Sequence, residues 1–301
     1  MRMDLRAMRV CLSFFRRYNG ARDDHFSVYG HPVYKTGIAE SLQRKTSVDH
    51  ARLLGVRIGP RSLPELVAAS LRAIEGRGDP FVFTCANPHS LVIARKDAEF
   101  RAALERASAV VADGVGCQWG AALSGVPVGP RITGSDFFRS MMGALNDDSR
   151  RAFFFGSSVA VLEELSSRVS RDYPRVAIKT LSPPFGAWST LENCRMLDEI
   201  HSFRPDVLWV GMTAPKQEKW VASNSAALRV PVIGSIGAVF DYYAGMTHRA
   251  PQWVCDLGLE WLYRLPREPK RLWRRTFVSA PLFLWFVLRE RLARSLTVRS
   301  L

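Results

Sequence analysis

The sequence predicts an α/β fold: a mostly parallel, Rossmann-like sheet with helices on both faces, followed by a helical, basic C-terminal appendage. Two observations predict the sheet. From Ala51 to Gly245, short apolar segments alternate with helical segments of about 10–15 residues, the rhythm of β-α crossover units. The stretch SAVVADGVGCQWG, 108–120, begins like a buried strand and ends in glycine-rich chain, as a strand–turn junction over such a sheet would. A third observation predicts the appendage. Between Trp261 and Leu301 there are ten Lys or Arg and two acids, so eight of the fourteen net positive charges lie there.

The elements follow in order. ARLLGVRIG, 51–59, reads as a short strand. SLPELVAASLRAIEG reads as a helix with Ser62 as N-cap and Glu65 three residues on, the spacing of a capping box. FVFTCA is a strand that runs into a loop at Asn87, and LVIARKDAEFRAALERA reads as one helix. SAVVA is a strand, DGVGCQWG a turn, and TGSDFFRSMMGAL a helix. RAFFFGSS gives a strand and tight turn, and VAVLEELSSRVSRDYP a helix. RVAIKTLSPPFG, RPDVLWVGMTAPKQEKW and RVPVIGSIGAVFDYYAG each give a strand followed by a loop. The expected organisation is an N-terminal extension, 1–50, polar and without periodic pattern; an α/β core, 51–250; and a basic amphipathic C-terminal segment, 251–301.

Composition limits the function. A chain of 301 residues that is 47% hydrophobic buries a sizeable core. A net charge of +14 points to an anionic partner such as nucleic acid, phosphate or a membrane surface. The five cysteines, Cys11, Cys85, Cys117, Cys194 and Cys255, are scattered and form no C-x-x-C, which fits free thiols in a reducing compartment. The N-terminus is basic but lacks the apolar core of a signal peptide. The longest apolar run, APLFLWFVL at 280–288, is flanked by arginines and falls short of the roughly 20 residues of a helical span.

Ligands of open parallel sheets bind beyond the carboxyl ends of the strands. The residues placed there are Asn87 and His89, Asp113, Gly156 and Ser157, Lys216 and Gln217, and Gly237. Gly114, Gly116 and Gly120 approach the dinucleotide fingerprint G-x-G-x-x-G, but the last spacing is one residue too long and no acid stands where it would grip a ribose. Asp113 itself is open to two readings from the residues alone: a catalytic carboxylate, or a turn residue capping backbone amides.

RITGSD (131–136), APKQE (214–218), AVFDYYAG (238–245), RAPQW and GLEWLYRLPREPKRL, in this order and spacing, resemble the WecG/TagA/CpsF family of bacterial glycosyltransferases, glycosyltransferase family 26. The resemblance covers about Leu54 to Leu272. It implies an inverting, metal-independent enzyme without cofactor. The donor is a nucleotide-diphosphate sugar, usually UDP-linked, and the acceptor is a sugar on polyprenyl diphosphate. The products feed exopolysaccharide, capsule, O-antigen or teichoic-acid synthesis. The sequence contains no D-x-D triplet of the kind that holds a metal in other transferases.

The resemblance implies Asp113 as catalytic base, with Asn87, Gly114, Arg131, Thr133, Asp136, Lys216, Gln217 and Gly237 binding substrate. Glu218 would pair with Lys216 or cap a helix. Many relatives carry Thr two residues before the asparagine; here Cys85 stands there, with Thr84 one place earlier. The tail would lie on an anionic membrane, with Arg264, Arg271, Arg274 and Arg275 contacting headgroups or the lipid diphosphate, and Pro281 would suit a helix first turn. The expected location is peripheral, on the inner face of the cytoplasmic membrane. The sequence leaves room for a homo-oligomer. Two rival readings are a basic nucleic-acid-binding protein, for which no reading element is evident, and a non-catalytic membrane-associated protein.

Overall fold

The computed structural model describes residues 51–59, 61–76, 80–247, 250–251, 254 and 260–299. The expected N-terminal extension, 1–50, lies outside them. The centre is a six-stranded parallel sheet of β3 (Phe81–Ala86), β4 (Ala109–Ala112), β5 (Arg151–Gly156), β6 (Ala177–Leu181), β7 (Val207–Gly211) and β8 (Val232–Ser235), in spatial order β4-β3-β8-β7-β5-β6. A two-stranded antiparallel hairpin of β1 (Ala51–Leu53) and β2 (Val56–Ile58) precedes it. ARLLGVRIG is therefore two strands, because Leu54 and Gly55 both take positive φ and reverse the chain.

Helices cover both faces, as expected for a sheet whose central strands are apolar on both sides. One face carries α1 (Leu63–Ile74), α5 (Gly134–Asp147), α6 (Val159–Asp172) and α9 (Val239–Tyr243). Its aromatic centre stacks Phe83 on Phe137 at 4.0 Å and sets Phe138 edge-on to Trp209 at 5.2 Å. The other face carries α2 (Pro88–Ala94), α3 (Ala98–Arg106), α4 (Val115–Ser124), α7 (Thr190–Phe203) and α8 (Lys216–Asn224). The Ser62–Glu65 capping box forms as expected, Glu65 Oε2 accepting from the Ser62 amide at 2.7 Å.

Three expected boundaries move. LVIARKDAEFRAALERA breaks into α2 and α3, because Asp97 Oδ1 accepts the Phe100 amide at 2.9 Å and starts a new helix. The expected turn after Asp113 is α4, and the expected loops after β6, β7 and β8 lead into α7, α8 and α9. Glycine disfavours helix, yet two glycines of α4 are required by packing. A Cβ on Gly116 would lie 2.6 Å from Pro88, and one on Gly120 would overlap the Phe283 ring.

Phe283 belongs to the C-terminal helical run: α10 (Glu260–Arg264), α11 (Pro269–Trp273), a π-helical stretch (Arg274–Ser279) and α12 (Ala280–Arg299). Pro281 is the second residue of α12, in its first turn as expected, although the π-helical stretch runs directly into it. It lacks an N–H and its ring crowds the carbonyl four residues earlier, a conflict that a wider turn just before it relieves. One face of α12 is core: Phe283 is 1% exposed and Val287 fully buried against α4 and α2, each burial contributing about 1.5–3 kcal/mol. Arg95 pairs with Glu290 at 2.7 Å, and Arg291 donates to the Leu123 carbonyl at 2.8 Å. The opposite side of the run exposes Trp273, Phe277, Val278, Leu284, Trp285, Leu288 and Leu292.

Gly120→Ala is expected to lower stability by about 1–3 kcal/mol through overpacking and to loosen α12. Thermal unfolding and amide exchange across 280–293 read both effects; an unchanged melting temperature with unchanged exchange would show that Phe283 moves aside without cost.

Candidate functional site

The strand order reverses direction at β3 and β8: the chain leaves β3 toward β4, on the side away from β8. The loops leaving these neighbouring strands part there and open a crevice. A cleft of about 180 Å³ occupies the place, lined by Cys85, Asn87 and Ser90 after β3, Asp113 after β4, and Thr133–Ser135 at the start of α5. Met212–Ala214, Gln217 and Glu218 after β7, and Ser235–Val239 and Tyr242 after β8, complete the wall, and Arg264 and Arg275 reach it from the C-terminal run.

Asp113 is held by the sheet through its amide, which donates to the Ala86 carbonyl at 2.8 Å. It stands one residue before Gly114, which takes φ +85 and opens α4. The exposed amides and dipole of a helix N-terminus favour negative charge at that position. Asn87 caps α2, its Oδ1 accepting the Ser90 amide at 3.0 Å. Thr133 caps α5: its Oγ1 accepts the Asp136 amide at 3.2 Å, and Asp136 Oδ2 accepts the Thr133 amide at 3.0 Å. The Asp136 carboxylate is thus engaged in a capping box and does not line the cleft. The T-x-x-D spacing carried that signal in the sequence.

Gly237 is fixed by space and by backbone. Its φ is +53, and a Cβ there would meet the Met212 carbonyl at 3.3 Å and Gln217 Oε1 at 3.4 Å. Its amide donates to the Val210 carbonyl at 3.4 Å. Gln217 is 5% exposed: Oε1 accepts the Met212 amide at 3.3 Å, and Nε2 donates to Glu218 Oε1 at 2.8 Å. Both ends of its amide therefore frame the cleft wall.

Other expected residues fall elsewhere. Lys216 Nζ donates to the Gly186 carbonyl at 2.8 Å and lies 4.0 Å over the Trp188 ring, in a separate open cleft with Lys219 and Trp220. It does not pair with Glu218. Arg131 is partly buried in the segment leading to Thr133, and neither it nor Gly114 lines the cleft. Of the four tail arginines, Arg264 and Arg275 line the cleft, while Arg274 lies 5.3 Å from the half-exposed Trp273 ring. Arg271 is on α11, and its side chain lies outside the described residues. Arg264 pairs with Glu268 at 3.0 Å and sits 5.1 Å over the Tyr242 ring.

Five further groups take places that the sequence alone does not assign. His89 Nδ1 is 2.7 Å from Ser279 Oγ, tying α2 to the π-helical stretch. Burial, with the Arg275 guanidinium nearby, lowers its pKa to about 4, so the ring is neutral near pH 7. The Cys85 thiol lines the cleft, and desolvation with the carboxylates of Asp113, Glu218 and Asp136 pushes it well above its ordinary range. It therefore stays protonated. Glu218 is 5% exposed, and desolvation raises its pKa against bonds from Gln217 and Thr84. Ser235, at the end of β8, is 2% exposed. Thr84, on the opposite sheet face from Cys85, gives its hydroxyl to Glu218 Oε1 at 3.3 Å, so it supports the wall from behind. The clue to Glu218 was its position beside Gln217 at the first turn of a post-strand helix; nothing in GSIG distinguished Ser235.

Comparison with known proteins fits this geometry. The chain is 30% identical over 209 residues to the N-acetylglucosaminyldiphosphoundecaprenol N-acetyl-beta-D-mannosaminyltransferase of Bacillus subtilis (strain 168), covering 69% of this chain and 79% of that one. Identity to the Bacillus spizizenii protein of the same name is 31% over 210 residues, with 70% and 79% covered. The Staphylococcus aureus (strain MW2) protein of that name is 24% identical over 247 residues, with 81% and 94% covered. The family model for the glycosyl transferase WecG/TagA/CpsF family matches residues 51–297, nearly the whole of the described chain, and the chain belongs to that family.

Proposed function

We propose that this glycosyltransferase moves a sugar from a UDP-linked donor to a sugar carried on polyprenyl diphosphate, with inversion and without a metal, in the synthesis of a cell-surface polysaccharide. The observation that carries the reading is the convergence of Asp113, Asn87, Thr133, Gln217 and Gly237 on one cleft at the strand ends, with two arginines at its edge. The names of the relatives favour an N-acetylhexosaminyl donor.

A sugar hydroxyl is a weak nucleophile. The Asp113 carboxylate takes its proton as the oxygen attacks the anomeric carbon, a step that needs the two oxygens within about 3 Å. One displacement inverts the centre, so one base suffices. Of the cleft's two acids, Asp113 suits this role; Glu218 is 5% exposed and its Oε1 already accepts from Gln217 and Thr84. The bond to the nucleotide diphosphate breaks in the same step, and charge builds on the leaving phosphate. Arg264 and Arg275 line the cleft and are the cations suited to meet it. Asn87 presents its amide nitrogen for sugar hydroxyls or the base edge, and Gln217, whose amide is engaged at both ends, shapes the wall beside it.

We assign residues 51–250 to the catalytic core and 251–301 to membrane association. Among the described residues no helix is long and apolar enough to cross a membrane. The exposed apolar side of the C-terminal run, interleaved with arginines such as Arg274 and Arg289, suits a bilayer interface. Each cation near an anionic surface contributes about 1 kcal/mol. The proposed location is peripheral, on the inner membrane face where lipid-linked acceptors are built.

Asp113→Asn is expected to fold normally and to lose about a hundredfold or more in turnover; near-normal transfer by the folded variant would remove Asp113 from the chemistry. Chelation by EDTA is expected to leave transfer unchanged, because no D-x-D triplet is present. Loss on chelation with recovery in Mg²⁺ or Mn²⁺ would show instead that a metal neutralises the diphosphate.

The membrane reading is tested by flotation with liposomes. The chain should float with anionic vesicles, less with neutral ones, and should be only partly released by salt, which screens exposed charge within about 8 Å but leaves apolar contact intact. Replacing Trp273, Phe277, Trp285 and Leu288 by Ser should leave the protein folded and unbound. These substitutions test the point better than truncation, which would strip Phe283 and Val287 from the core. Equal flotation of the substituted chain would place membrane contact elsewhere.

A further inference from the structure

Two polar atoms at the cleft are buried without a hydrogen-bond partner: Glu218 Oε2 and Ser235 Oγ. They come from different elements, α8 and the end of β8, and both residues line the cleft that holds Asp113. Their neighbours are fixed. Thr84 and Ser235 are register partners on adjacent parallel strands, so their side chains leave the same sheet face, and Thr84 holds Glu218 Oε1 from beneath. Gln217 Nε2 holds the same oxygen at 2.8 Å. With Oε1 accepting twice, Oε2 is the oxygen left to the cleft.

A buried polar atom without a partner carries its desolvation penalty in full. Both belong to residues that line one cavity, and such a pair marks a place where a ligand group, once seated, supplies the missing bonds. We propose that Glu218 and Ser235 form a subsite for the acetamido group of a substrate sugar, Glu218 Oε2–H donating to the amide carbonyl and Ser235 Oγ accepting the amide N–H. This deepens the reading above and rests on it.

Burial keeps the Glu218 carboxyl toward its protonated form, and that form supplies a donor. Its buried environment also disfavours an ammonium or a second anion in the same place. The apolar part of the group has a surface as well, since Met212, Ile236 and Val239 line the cleft beside the polar pair. A hydroxyl could answer the two polar atoms but would leave that surface uncovered. The acetamido group could belong to the donor sugar or to the acceptor sugar.

The full-length chain is titrated by calorimetry with UDP-N-acetylmannosamine and UDP-mannose, and with UDP-N-acetylglucosamine and UDP-glucose. Transfer is then measured to short-chain prenyl-diphosphate N-acetylglucosamine and to the matching glucose acceptor. In at least one arm the acetamido member should be favoured by about tenfold or more, and the arm that shows the preference identifies the source.

Ser235→Ala should reduce that preference severalfold. Glu218→Gln keeps a neutral donor and should keep the preference; Glu218→Leu should lose it. Melting temperatures identify any variant that is merely unfolded, and Ser235→Ala removes only one oxygen. Equal treatment of both members in both arms, an unchanged ratio in Ser235→Ala, or loss of the ratio in Glu218→Gln would overturn the subsite. If wild type binds none of the four donors, the donor class is wrong and the subsite falls with it.

Discussion

The seating of Phe283 over Gly120 is the contact on which the rest of this architecture depends. Gly120 lies in α4, and the other end of α4 begins just after Asp113 and Gly114. Phe283 lies in α12, and the chain just before it supplies Arg275 to the cleft and Ser279 to His89. One missing side chain thus joins the C-terminal run to the helix that sets the proposed catalytic carboxylate. Two of the three glycines that look like a phosphate-binding loop in the sequence serve packing instead, since Gly116 receives Pro88 and Gly120 receives the tail, while Gly114 supplies a positive φ. Protein interiors are packed tightly enough that either contact excludes a methyl group.

The α/β class, the parallel sheet and the strand positions were legible because apolar blocks and helical spacing repeat along 51–250 without interruption. Helix starts were legible where a side chain announces them, as at Ser62 with Glu65. They were lost where the signal sits inside a longer apolar pattern, as at Asp97, or where a helix opens on glycine, as at Gly114. Tertiary packing, which no local pattern carries, overrode propensity in α4.

The site divides the same way. Asp113, Asn87, Thr133, Gln217 and Gly237 follow strands or open helices at the strand ends, and topology brings them together. Asp136 and Lys216 share motifs with them but face elsewhere, because neighbours in sequence at a helix start point in different directions. Asp136 turns back to its cap, and Lys216 turns to Trp188. Ser235 was illegible for the converse reason: it comes to the wall that holds Glu218 only because β8 lies beside β3, whose Thr84 is bonded to Glu218 and is the register partner of Ser235.

The C-terminal run has two sides with opposite roles, and the π-helical stretch keeps them in step. Arg275 and Ser279 face the protein, while Phe277 and Val278, between them in sequence, are exposed. A regular helix would meet Pro281 with a clash and a lost bond; the wider turn absorbs both and lets α12 continue with Phe283 and Val287 inward. On the proposed reading this geometry suits a lipid-linked acceptor. The cations that line the cleft meet the donor's leaving diphosphate, and a prenyl chain is held most favourably where apolar surface is exposed. Here both belong to one helical run a few residues apart, so docking the protein on a bilayer would also orient the cleft toward a substrate that cannot leave it.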